Sequence, residues 1–161
     1  MLNYIDLKGA IANLIALENE CATDVGGILG YSLSSHAYPM LRFEAQGQFP
    51  VWLNGLSTVK PEPSGIWEDA EPVQIITQLK LGNETEGRDG VLEQQLYTWI
   101  PYFLALVRSR PLLTSDAAPT RPTGLLGASI DVSKWRMPGS IISAEFILNL
   151  EFFVTNPERD W

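Results

Sequence analysis

The sequence predicts an α+β fold: a mostly antiparallel β-sheet, two α-helices packed on one face, and a long C-terminal β-hairpin. Three observations predict it. Apolar residues recur on every second position in Val73–Leu81, in 126–133 and in Ile141–Thr155, which is the period of a strand. Two other stretches, Leu2–Cys21 and Gly90–Arg110, carry apolar residues at helical spacing. The elements run helix, small strands, loop, strand, helix, loop, hairpin, which is not the strict alternation of a parallel α/β fold. One domain over residues 1–161 accommodates all of them.

The first helix, Leu2–Cys21, places Leu7, Ile11, Leu14, Ile15 and Leu17 toward a core, with Asn3 or Asp6 as its cap. Thr23, Asp24, Gly26 and Gly27 then interrupt the pattern, and 22–39 reads as a long Gly/Ser connection. Its GGILG lacks the ending of a phosphate-binding loop. Short strands follow at Met40–Ala45 and Phe49–Leu53. The second has Phe49, Val51 and Leu53 on one side and Trp52 on the other, and Pro50 makes it an edge or a bulged strand. Residues 57–72 form an acidic, proline-rich loop. Within it Ile66 and Trp67 either tuck back onto the body or meet a partner.

Val73–Leu81 directs Val73, Ile75, Thr77, Leu79 and Leu81 inward. The second helix, Gly90–Arg110, has a stripe of Leu92, Leu96, Trp99, Ile100, Phe103, Leu104 and Val107. Asp89 is its expected cap, and Pro101 should kink it. Its aromatic density reads as a seam against the sheet. Residues 112–124 hold little that could bury and read as a flexible loop, of which Ala117–Gly124 is expected to order only on assembly. Leu126, Ala128, Ile130 and Val132 open the hairpin, and Pro138-Gly139 turns it.

The returning strand has a fully apolar face (Ile142, Ala144, Phe146, Leu148, Leu150, Phe152, Val154). Its second, mixed face carries Glu145, Ile147, Glu151 and Phe153. Fully extended, it would reach about 50 Å, in a body about 40 Å across. Either a bulge breaks it or part of it projects, and a projecting strand invites pairing with another subunit.

Charge and residue counts restrict the chemistry. The net charge is −8, and between Glu62 and Glu93 eight acids face only Lys80 and Arg88, leaving −6 in that window. No basic patch of the kind that grips phosphate is present. No run of about 18 apolar residues marks a membrane span, and the N-terminus lacks a signal-peptide pattern. One cysteine (Cys21) and one histidine (His36) offer no metal-ligand set, so neither metal nor cofactor is expected. A Ser-His-Asp set could be drawn only by free choice from Ser34 or Ser35, His36 and Asp24, and no GxSxG elbow occurs. Glu145 and Glu151 lie six residues apart, roughly 20 Å, too far for a glycosidase pair. No enzymatic activity is expected.

The layout resembles the tail-terminator proteins of long-tailed bacteriophages. The residues that carry the resemblance are Val73–Leu81, Leu96-Tyr97-Thr98-Trp99-Ile100, Arg110-Pro111-Leu112 and the run from Ser143 to Leu150. The acidic segment 61–72 and Pro101 lie outside it. The resemblance implies a virion protein, assembled in the host cytoplasm, that forms a ring, usually a hexamer, on the head-proximal end of the tail tube. Such a ring stops tube polymerisation, joins tail to neck, and lets DNA pass through its lumen without specific binding. Its partners would be copies of itself, the tube protein and a neck or head-completion protein. In that reading Ile147, Phe153, Trp135 and Trp52 are subunit-interface candidates. Glu145 and Glu151 are lumen-facing candidates, and Ile66 and Trp67 are partner-contact candidates. The alternatives are another neck, head-completion or tube-related subunit, or a small-molecule-binding or hydrolytic domain using His36 and a pocket lined by Trp99 and Phe103.

Overall fold

A computed structural model describes residues 5–41, 48–59, 70–83, 90–136 and 141–153. In chain order the elements are α1 (Leu7–Leu29), β1 (His36–Tyr38), β2 (Val51–Val59), β3 (Ala70–Asn83), α2 (Val91–Ser109), a single 3-10 turn (Pro111–Leu113), β4 (Leu125–Arg136) and β5 (Ile141–Phe153). The five strands form one sheet in the order β1-β2-β3-β5-β4. Every pairing is antiparallel except β1 with β2. The α+β reading, with a C-terminal hairpin of β4 and β5, holds.

β5 is an interior strand of the sheet, not a projection from it. It runs unbroken for 13 residues and is paired on both edges, by β3 from Ile141 to Phe153 and by β4 from Ser143 to Phe152. The expected bulges exist, but in its neighbours. The extra residues are Leu81 in β3 and Leu126 and Ser133 in β4. A bulge adds one residue against the partner strand and increases the local twist, so β3 and β4 absorb the strain while β5 stays regular. Its alternation is complete: Ile142, Ala144, Phe146, Leu148, Leu150 and Phe152 are all buried.

α1 is longer than its sequence suggests. The stripe Ala10, Leu14, Leu17, Cys21, Ala22 and Val25 keeps helical spacing and is fully buried, so packing carries the helix through Gly26 and Gly27 to Leu29. Asp6 caps it by accepting from the Gly9 amide, and Gly30 ends it in the left-handed conformation. Gly26 is required where it stands. A Cβ there would lie 2.7 Å from the Tyr31 carbonyl oxygen and 2.8 Å from the Leu33 nitrogen. The chain turns back across the helix at that point, and β1 follows, where a plain connection was expected.

α2 is capped at Gly90 without a side-chain bond, while Asp89 lies outside the described residues. Pro101 sits inside a continuous helix, where it has no N–H to donate. Leu96, Trp99, Phe103, Leu106 and Val107 face inward. Trp52, Trp99, Phe103 and Phe146 form one aromatic cluster. Ring centroids are 4.7 Å apart for Trp52–Phe103, 4.9 Å for Phe103–Phe146 and 5.8 Å for Trp52–Trp99. These are the tilted and edge-on geometries that aromatic quadrupoles favour.

Three further expectations change. Met40 and Leu41 are not in a strand, and 42–45 lies outside the described residues. The loop expected over 57–72 is narrower, because β2 runs to Val59 and β3 begins at Ala70, with 60–69 outside the described residues. The segment 112–124 does bury side chains: Leu113, Ser115 and Pro122 are inside. Leu112 and Leu113 both take positive φ, 69° and 55°. That conformation costs about 1–2 kcal/mol per non-glycine residue; the burial of Leu113 opposes that cost.

Candidate functional site

Two regions of the molecule carry unusual chemistry: the sheet surface that the helices leave uncovered, and a buried polar chain beneath α1.

The uncovered surface has a face and an edge. On the face, β3 contributes Gln74, Ile76 and Gln78, and β5 contributes Ser143, Glu145, Ile147, Asn149, Glu151 and Phe153. The register sets Ile76 against Ile147, Gln74 against Asn149 and Gln78 against Glu145. Gln74 donates to Asn149 at 3.0 Å and Gln78 to Glu145 at 3.3 Å. Ser133 of β4 donates to the other Glu145 oxygen at 3.1 Å. The centre of this face is therefore one isoleucine pair inside a laced polar surround. Toward β2 the same face is covered: Val51 and Leu53 are fully buried, and Leu41 lies over Gly55, where a Cβ would sit 2.4 Å from Leu41 Cγ.

The edge is β4. Twelve residues long, it pairs only with β5 among the described residues. Leu126 and Val132 on it, and Phe153 at the adjoining end of β5, are exposed. Leu126 and Phe153 stand at the same end of the β4–β5 pair, since Leu125 pairs with Phe152 and the Phe153 amide donates to the Gly124 carbonyl at 2.6 Å.

The sequence candidates fall as follows. Trp52 is not available to a partner. It is 0% exposed at the centre of the aromatic cluster, and its indole N–H donates to Ser35 at 3.1 Å. Its assignment to an outer face fails because Trp52 packs against Trp99, Phe103 and Phe146 on the helix side of β2, and Val51 and Leu53 on the other side are fully buried too. Trp135 belongs to the β4 edge strand, opposite Ala144. Ile147, Phe153, Glu145 and Glu151 all share one face of β5. Same-face neighbours are only about 7 Å apart, so Glu145 and Ile147 must serve the same environment. Ile66 and Trp67 lie outside the described residues. Trp99 and Phe103 are 0% exposed and fill the core, so they line no pocket. His36 stands in β1 with its amide donating to the Pro50 carbonyl; Ser35 is engaged with Trp52, and Asp24 accepts from Tyr102 at 2.6 Å. The structure does not bring these three together as a catalytic set.

The buried polar chain was not anticipated. Glu18, in mid-α1, is 0% exposed. Its Oε2 accepts from Asn54 Nδ2 at 3.0 Å, the Asn54 amide also donates to the Tyr38 carbonyl at 3.3 Å, and Asn54 Oδ1 accepts from the Thr77 hydroxyl at 2.8 Å. Burial pushes the Glu18 carboxyl well above the usual carboxylate range, against the opposing hydrogen bond from Asn54. Burial, and then the acids around it, push the Cys21 thiol up as well. The signal was present in the sequence: Glu18 follows Leu14 by four and precedes Cys21 and Ala22 by three and four, so it lies on the apolar stripe.

Nearer the surface, Arg110 bridges Glu20 at 2.6 Å and Asp116 at 2.9 Å, fastening the segment after α2 to α1. The Arg110 guanidinium holds the Asp116 carboxyl below its usual range. An open groove of about 460 Å³ runs beside this bridge, lined by Ala12, Ala16, Asn19, Thr23, Asp116 and Ala117. Among the described residues no group of three or more His, Cys, Asp or Glu side chains is placed to hold a metal, and no helix is long and apolar enough to cross a membrane. Comparison with protein-family models and with curated proteins finds no match for this chain.

Proposed function

We propose that this protein is an assembly subunit that joins copies of itself through the β4 edge, and that the assembly is the ring ending a bacteriophage tail tube. The observation that carries the assembly reading is the β4 edge: a long strand that among the described residues pairs with β5 alone, flanked by exposed Leu126, Val132 and Phe153. Such an edge is a template for another strand, and monomeric proteins usually blunt it. Here the bulges at Leu126 and Ser133 bound the stretch 127–132, which keeps a regular register with β5 and has no second strand beside it among the described residues.

In this reading Phe153 and Trp135 keep their place at the subunit contact and Leu126 and Val132 join them. Ile147 leaves it, because it sits between Glu145 and Glu151 on the hydrogen-bonded polar face. That face, with its carboxylates, turns toward the lumen, where it repels rather than retains passing DNA. The tail-terminator assignment rests on the resemblance in sequence layout together with the α+β arrangement it implies.

The test is tube growth. Tail-tube protein polymerising with this protein present should give shorter tubes, with extra density on one end in negative stain. Tubes of unchanged length with bare ends would contradict the reading.

A further inference from the structure

We propose that Glu18 is a proton latch: carrying its proton it fastens α1 to the sheet through Asn54, and on losing it α1 is released from β1 and β2. The inference is independent of the ring.

The geometry carries it. Glu18 is completely buried, one oxygen rests on the Asn54 amide, and the other, Oε1, is buried with no partner among the described residues. Asn54 is equally buried, and its remaining bonds go to the Tyr38 carbonyl and the Thr77 hydroxyl. One amide thereby links α1, β1, β2 and β3, and Glu18 is the whole of the α1 share. Among the described residues, the sheet groups of this network are neutral: the Asn54 amide on the carboxyl, and behind it the Tyr38 carbonyl and the Thr77 hydroxyl. From α2 and the segment after it, Tyr102 is bonded to Asp24 and Arg110 to Glu20 and Asp116, so neither offsets a charge at Glu18. Within α1 the titratable neighbour is the Cys21 thiol, itself pushed up partly by Glu18. A carboxylate in this position has lost its hydration and gained one neutral hydrogen bond, which does not compensate.

The sign follows from linkage. In the unfolded or released helix a glutamate ionises near its ordinary value, about 4.3. In the closed structure it keeps its proton to a higher pH. Between those two points the closed form holds one more proton than the open form. Opening of α1 therefore becomes more favourable as pH rises, by up to about tenfold per pH unit, and stops rising once Glu18 ionises in place.

The chain supplies its own reporter. Cys21 is its single cysteine, lies one turn beyond Glu18 and is 0% exposed. Labelling of the native protein by a thiol reagent then measures α1 opening. The rate is taken from about pH 5 to about pH 7.5, above an ordinary glutamate's titration near about 4.3 and below an ordinary thiol's at about 8.5, so that Cys21 itself stays protonated in both forms. Dividing by the rate for the denatured chain at each pH removes the thiolate's own reactivity. Wild-type protection should fall with pH, by no more than about tenfold per unit, and level off where Glu18 ionises in place. Glu18→Gln and Glu18→Met, which lack the ionisable group, should show flat protection; two variants are used so that a folding defect in one leaves the other. A flat wild-type profile, or profiles that fall in parallel with and without Glu18, would overturn the proposal.

Discussion

Trp52 shows how a single residue can mislead a reading of strand period. In β5 one face is buried and the other is not, so period two identifies the core residues directly. In β2 Val51, Trp52 and Leu53 are consecutive and all fully buried; alternation then carries no information about which side faces the helices. Trp52→Ala should destabilise the fold by about 3–5 kcal/mol in urea unfolding, as for other large core truncations. The effect on the oligomeric state of the protein that remains folded should be nil; a variant of normal stability but altered assembly would return Trp52 to the surface. Tyr102 offers a second test at this scale. Its hydroxyl donates to Asp24, and that bond, with burial, pushes it up to about 12. An ordinary tyrosine ionises near 10, so between these values the folded form holds the extra proton and stability falls as pH rises. Spectrophotometric titration should show one tyrosine ionising late, and Tyr102→Phe should remove that late step while leaving the others. Loss of an ordinary, early tyrosine instead would contradict the Asp24 contact.

At the scale of elements, β3, α2 and β5 were legible because each buries one continuous stripe of its own sequence. The end of α1 was not. A Gly-Gly pair after a helical stripe is a stop signal in most chains, but here Ala22 and Val25 extend the buried face past it. The two glycines also differ in kind. Gly26 is approached by the backbone of 31–33, whereas a Cβ on Gly27 would meet nothing within 4 Å. Gly26→Ala should therefore destabilise by about 1–3 kcal/mol through overpacking. Gly27→Ala should stabilise by about 0.5–1 kcal/mol through helix propensity. Thermal or urea unfolding of the pair checks this, and equal effects of the same sign would contradict the turn-back over Gly26. β1 was illegible for a different reason: it is three residues long and exists through its parallel pairing with β2. The polar chain below α1 joins residues 23 to 59 positions apart along the sequence (Glu18, Asn54, Thr77), so only the fold assembles it.

At the scale of the whole molecule, the helices cover one side of the sheet, Leu41 lies over Gly55 on the other, and β4 has no strand on its outer edge among the described residues. The sequence reading placed the exposed pairing strand at β5, because an isolated strand of that length would outrun the body. The fold instead flanks β5 with β3 and β4 over nearly its whole length and moves the unpaired edge to β4. Self-association, as proposed above, then rests on a different surface, and the central claim becomes specific to one edge. The most direct measurement is the solution mass of the purified protein by light scattering, alone and with tail tubes, for wild type and for Val132→Lys on the exposed edge. Wild type should give a closed oligomer, or a monomer that becomes one when tubes are added, and the folded Val132→Lys variant should remain monomeric in both conditions. A wild type that stays monomeric with and without tubes, or a variant that assembles as wild type does, would contradict the account.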